Sequence, residues 1–214
     1  MAAVACLACL LLSACGTTMS PTDTTKAFLD AMKASDTEKI SQYYSGDASA
    51  FGTDSLEQEL GSSSSAGNLS EEDKQNLKTI SEKIMDFDYS VGNEKIDGDS
   101  ATVDVTLKTY DFGTALTDAV NNVYTSVLSE AFNGKTPSSE KIASKVYKEF
   151  AKQIGKHKEK SETTTVTMKL AKEDGSWKVS EVDEDFLDAL TGKMISSMGA
   201  LDASASTSSS SAAA

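Results

Sequence analysis

An α+β fold of helices and antiparallel hairpins is predicted by three observations on this chain of 214 residues. Apolar residues recur at helical spacing in several segments, they alternate with polar residues in others, and Asp-Gly turns sit in the middle of the alternating stretches. Taken in order, Phe28, Leu29 and Met32 share one face of a helix over residues 22–34. Ser35-Asp36 then caps a short second helix carrying Ile40, Tyr43 and Tyr44. Ser70-Glu71-Glu72-Asp73 opens a helix with Leu77, Ile80 and Ile84, its acids in the first turn where the helix dipole favours them.

Strict alternation follows. Met85, Phe87, Tyr89 and Val91 point one way, and beyond the turn Asp97-Gly98-Asp99-Ser100 the apolar Val103, Val105 and Leu107 oppose Asp104, Thr106 and Lys108. This is a hairpin with one wet face, and its turn reads as type I′. A second hairpin joins Val166, Met168 and Leu170 to Trp177 and Val179 across Glu173-Asp174-Gly175-Ser176. Two helices separate the hairpins, one with the stripe Phe112, Leu116, Val120, Val123, Val127 and Ala131, the other with Ile142, Val146, Phe150 and Ile154. A C-terminal helix over residues 184–198 presents Phe186, Leu190, Met194 and Ile195. Stretches rich in Ser, Gly and Ala cannot bury enough apolar surface to offset chain entropy, so residues 61–67 read as a loop and 201–214 as a disordered Ser/Ala tail.

The N-terminal segment carries a resemblance of its own. Leu12-Ser13-Ala14-Cys15-Gly16 closes an uncharged apolar run, residues 2–12, and resembles the bacterial lipobox, Leu-(Ala/Ser/Thr)-(Gly/Ala)-Cys. The resemblance implies a signal peptide over residues 1–14 and a diacylglyceryl group on Cys15, which would begin a lipidated tether over residues 15–21. The run is too short to span a bilayer. No Lys or Arg precedes Lys26, which points to a start upstream of Met1. Cys6 and Cys9 fall within the cleaved segment, so their CxxC spacing is accidental. The exported domain, residues 22–200, then has no disulfide and depends on its own core, for which roughly 180 residues suffice.

A second resemblance rests on TTKAFLDAMKASDTEKISQYY (residues 24–44) and VTMKLAKEDGSWKVSEV (residues 166–182). Together with the lipobox they resemble Gram-positive lipoproteins with an NTF2-like or cystatin-like domain. The resemblance implies N-terminal helices packed on a curved antiparallel sheet, with a conical pocket at one end. Tyr43, Tyr44, Tyr89, Tyr110 and Trp177 are candidates to line it. The helical pair inserted between the hairpins departs from the plain fold.

The chain carries 33 acidic and 20 basic residues, a formal net charge of −13. Every basic residue is Lys, so there are no guanidinium forks for phosphate, and nucleic acid is not an expected partner. Other chemistry is excluded motif by motif. Residues 97–102 start like a calcium loop but place Ala101 where the third ligand belongs. Ser138-Ser139-Glu140-Lys141 matches Ser-x-x-Lys without its companion motifs, and reads as the cap of the helix after Pro137. Gly134-Lys135-Thr136 imitates a phosphate loop, but no strand precedes it. Asp86 and Asp88, like Asp183 and Asp185, read as solvated acids, either strand-exposed or helix-capping. His157, the one histidine, has nothing nearby in sequence to orient it as a base. No cofactor or metal motif is present.

One surface feature opposes the overall charge. Lys141, Lys145, Lys148, Lys152 and Lys156 fall on one helical face, within roughly 80°, opposite Ile142, Val146, Phe150 and Ile154. Such a stripe suits electrostatic contact with anionic head groups, and suits equally a solvated helix face. The functional expectation is a binding or interaction module on the extracytoplasmic face of the cell membrane, anchored through Cys15, whose partner is a small molecule or an envelope protein. The alternatives are an enzyme using a carboxylate and a tyrosine in the pocket, or a structural partner in an envelope complex.

Overall fold

The computed structural model describes residues 19–52, 55, 58 and 69–210. Cys15, the signal segment, the loop at 61–67 and most of the tether lie outside the described residues. Helix α1 (Pro21–Lys33) starts where Ser20 accepts the Asp23 N–H and Pro21 takes the first turn, and it stops at Ser35, whose φ is 51°. Helix α2 (Thr37–Tyr43) is capped by Asp36, and a 3-10 turn (Ala48–Phe51) follows. Helix α3 (Glu71–Met85) begins with a complete capping box between Ser70 and Asp73. Hydroxyl and carboxylate there satisfy each other's backbone N–H groups.

Strands β1 (Asp88–Asp97), β2 (Ser100–Thr109), β3 (Glu162–Glu173) and β4 (Ser176–Glu181) form one antiparallel sheet in the order β1-β2-β3-β4. Pairing of β2 with β3 runs without a break from Ser100 opposite Ala171 to Thr109 opposite Glu162. Ala101, Val103, Val105, Leu107, Met168 and Leu170 bury one face of it. The opposite face is polar, with Thr106 and Thr165 sharing a 2.8 Å hydrogen bond and Thr167 donating to Asp104. Helix α1 lies on the apolar face, contacting β1, β2 and β4, and buries Phe28, Leu29 and Met32 completely.

Between the hairpins run α4 (Phe112–Phe132) and α5 (Ser139–Ile154), and after β4 come α6 (Glu184–Leu190) and α7 (Met194–Ser210). Helix α4 packs on α5 and α7, and α5 on α3, so these four helices form a layer continuous with the core of the sheet.

Four expectations are corrected. Phe87 lies between α3 and β1, so the alternation that began at Met85 becomes strand only from Asp88. The first hairpin has a single left-handed residue, Gly98, whereas type I′ needs two. The second hairpin has both, Asp174 at φ 50° and Gly175 at 81°. The expected helix over 184–198 is two helices, because Gly192 and Lys193 both adopt positive φ and turn the chain at Thr191. Helix α7 then continues to Ser210, through residues expected to be a disordered tail.

Candidate functional site

The helical layer holds an apolar cleft of about 320 Å³. Each helix supplies wall residues at helical spacing: Leu77 and Ile80 from α3, Leu116 and Val120 from α4, Val146, Tyr147 and Phe150 from α5, and Met194, Met198 and Leu201 from α7. Leu77, Ile80 and Phe150 are buried, while Met198 is 47% exposed and marks the mouth. Among the described residues, no charged side chain lines the cleft. A concave apolar surface with two adaptable thioethers accommodates an apolar group of varied shape.

Most of these wall residues were legible as helix stripes. That the stripes of four helices face one hollow was not, since their relative placement is tertiary. The periodicity of Met194 and Met198 at i, i+4 was the available signal at the mouth.

The five candidate aromatics do not share a cavity. Tyr44 bridges to Val179 of β4 and packs in a triad with Phe28 and Phe51, with Tyr43 half-buried beside the core. Trp177, also on β4, lies under the Lys172 ammonium at 4.9 Å. Tyr89 sits on β1, at the other edge of the sheet, roughly 14 Å away by strand spacing, and donates a 2.6 Å hydrogen bond to Asp30 of α1. Burial first, and then this carboxylate, push the Tyr89 phenol above its ordinary range. None of the five lines the apolar cleft.

Tyr110 supplies the carboxylate–tyrosine pair that proton-transfer chemistry would need. Its hydroxyl donates to Asp86 at 2.7 Å, and Lys160 bridges Asp86 and Asp88 at 2.9 Å each. The Lys83 ammonium lies 3.6 Å from the Tyr110 ring centre. Hydrogen bonds from Lys160 and then Tyr110 hold Asp86 below the usual carboxylate range. Burial pulls the Lys160 ammonium down, but its bonds to the two carboxylates outweigh that and leave it raised. Asp86 and Lys160 therefore both stay ionised at neutral pH. With the Asp86 side chain 51% exposed, the cluster is a half-open tie between α3, β1 and the chain entering β3.

The lysine stripe of α5 is largely engaged. Lys145 contacts Glu130 and Ser126, Lys148 pairs with Glu72 at 2.7 Å, Lys152 with Glu149 at 2.9 Å, and Lys156 donates to Gln153. Lys141 and Lys156 have no carboxylate partner among the described residues. Ser138 holds the N-cap position of α5, though without a side-chain cap bond. His157 makes a backbone bond to Ile154 at the end of that helix.

On the far end of α4, Tyr124, Leu128 and Phe132 leave an apolar stripe open to solvent, Phe132 at 90%. No helix among the described residues is long and apolar enough to cross a membrane.

No protein-family model and no curated protein sequence matches this chain. A solved structure does: YcdA of Bacillus subtilis, a protein provisionally classed as a lipoprotein, superposes with a TM-score of 0.51 at 19% identity. The match covers 80% of this chain and 55% of the YcdA chain, so this chain spans about half of the structure it resembles. At that identity the likeness concerns the fold alone; this chain's own fold is α+β, built on a four-stranded antiparallel sheet.

Proposed function

We propose that this chain is a lipid-anchored extracytoplasmic binding module with an NTF2-like or cystatin-like domain, and that it holds a small apolar ligand in the cleft between α3, α4, α5 and α7. The observation that carries the binding reading is the cleft itself, walled by apolar side chains with the half-exposed Met198 at its mouth. Anchoring is supported by the lipobox ending at Cys15 and by the fold likeness to a protein provisionally classed as a lipoprotein. The family reading is supported by α1 lying across the apolar face of an antiparallel sheet, while the inserted helices move the binding surface off that sheet.

The test is organic extraction and mass spectrometry of the protein purified from its native host. An apolar molecule at near-stoichiometric amount is expected, and Val146→Phe, which fills the cleft, should lose it while remaining folded. Equal retention by that variant, or no bound molecule, would remove the ligand from the cleft.

The solvent-exposed stripe Tyr124, Leu128 and Phe132 favours a second reading, a structural partner in an envelope complex that covers this face. Cross-linking from Phe132 in intact cells distinguishes the two, since only the second expects a protein adduct there.

A further inference from the structure

Strand β4 is half the length of β3. It pairs with β3 only from Lys169 to Glu173, leaving residues 162–168 with β2 as their sole strand neighbour among the described residues. The direction of the open hydrogen-bonding groups follows from the register. Lys172 donates its N–H to Asp99 on the β2 side, and β2–β3 pairing has no bulge. Alternate residues repeat that direction, so the backbone groups of Thr164, Val166 and Met168 face β2. Those of Thr163, Thr165 and Thr167 face outward, where β4 has ended.

The other margins of the sheet are protected. Strand β1 carries a bulge between Gly92 and Lys95, with Asn93 at φ 51° and a charge on each of Glu94 and Lys95. Strand β4 is covered by Tyr44 and Ser45, the latter donating to the Val179 carbonyl at 3.0 Å. Residues 163–167 are Thr-Thr-Thr-Val-Thr, β-prone and without the charge, Pro or Gly that guards an edge.

Beside this edge is a cavity of about 530 Å³, bounded by Thr165, Val166 and Thr167 on one side and by Asp183, Asp185 and Asp188 on the other. The lysines at its ends are already matched, Lys169 with Glu181 and Lys193 with Glu162. None of the three aspartates has an ion pair among the described residues; Asp183 caps α6 by accepting the Phe186 N–H, and Asp188 accepts the Ser196 N–H and hydroxyl. No described residue lines both this cavity and the apolar cleft.

We infer that residues 163–167 are a strand-addition site for an extended peptide segment carrying Lys or Arg at alternate positions, which hydrogen-bonds to Thr163, Thr165 and Thr167 and sets its cations against Asp183, Asp185 and Asp188. The open backbone groups supply affinity in a direction any extended chain can meet. The aspartate rim selects the basic one.

The probe is an acetylated, amidated Lys-Val-Lys-Val-Lys-Val peptide titrated into the full chain, followed by amide hydrogen exchange. In the free protein the amides of Thr163, Thr165 and Thr167 should exchange fast, and peptide should protect them. The variant Asp183→Asn/Asp185→Asn should raise Kd about tenfold, and Asp185→Lys, at an exposed helix position, should raise it further. A fully N-methylated peptide, which keeps its charges and loses its donors, should not bind. A Glu-Val peptide bound equally well, undiminished binding of the N-methylated peptide, or protection appearing elsewhere would overturn the proposal. So would a concentration-dependent dimer in sedimentation that already protects the three amides, since a second copy would then own the edge.

Discussion

Asp73 Oδ1 accepts a 2.7 Å hydrogen bond from Ser144 Oγ, so the residue that closes the capping box of α3 also fastens that helix to α5. A local sequence signal and a tertiary contact meet on one carboxylate. Burial pushes its pKa up, but bonds from Ser70 and Ser144 outweigh burial and hold it below the ordinary carboxylate range.

Asp73→Ala is therefore expected to cost about 1–2 kcal/mol and Ser144→Ala about 1 kcal/mol, with the double variant less than additive. Because the folded-state pKa is depressed, the contribution is complete above the ordinary carboxylate range and is lost as pH falls through the lower folded value. Urea unfolding of wild type and Asp73→Asn at neutral and acid pH checks this: the gap between them should narrow on acidification.

Gly192 separates α6 from α7 at φ 50°, and a Cβ there would run into the Tyr110 carbonyl and the Phe112 ring. Its own carbonyl accepts the Gly113 N–H at 2.9 Å, fixing the start of α4 against the start of α7. Gly192→Ala should destabilise the fold by at least about 2 kcal/mol, through strain and the lost approach of these two helices. Thermal unfolding provides the measurement.

Lys160 is 14% exposed and serves two carboxylates at once. Replacing it with Met keeps much of its packing but leaves Asp88 without this cation and Asp86 with Lys83 alone, at 3.9 Å. A loss of about 1 kcal/mol is expected, reduced by added salt because both acids are half-open to solvent. Denaturant midpoints at low and high ionic strength would show it. No salt dependence would mean that the ammonium stem, rather than its charge, carries the contribution.

All three cysteines, Cys6, Cys9 and Cys15, precede the described residues. Protein spanning residues 19–210 should unfold in one transition that reductant does not move, since α1, the sheet and the helical layer share a single core. Calorimetry with two separated transitions would instead make the inserted helices a unit of their own.

In the native host, intact mass of membrane-extracted protein should show loss of residues 1–14 and a diacylglyceryl increment on Cys15. Cys15→Ala should leave the uncleaved precursor. Unmodified protein beginning at Met1 would contradict the lipobox reading.

What the sequence by itself determined was local. The caps at Asp36 and Ser70, the stripes through Leu77, Leu116 and Phe150, and the alternation of Val103, Val105 and Leu107 are visible because each is written within one or two turns of chain. Turn type was less legible: type I′ was expected at Asp97-Gly98-Asp99-Ser100, where only Gly98 is left-handed, and it is the second turn that has two left-handed residues, Asp174 and Gly175. Tertiary structure decided everything that depends on which faces meet. It dispersed the tyrosines to opposite margins of the sheet, because strand order, not residue type, sets which rings share a space. It turned four ordinary amphipathic stripes into one cleft, and engaged Lys145, Lys148 and Lys152 with Glu130, Glu72 and Glu149. It also left residues 163–167 without a strand on the side away from β2, because β4 ends opposite Lys169 and the chain turns into α6. A strand's length is a local property, but whether its edge is covered depends on where the neighbouring element goes.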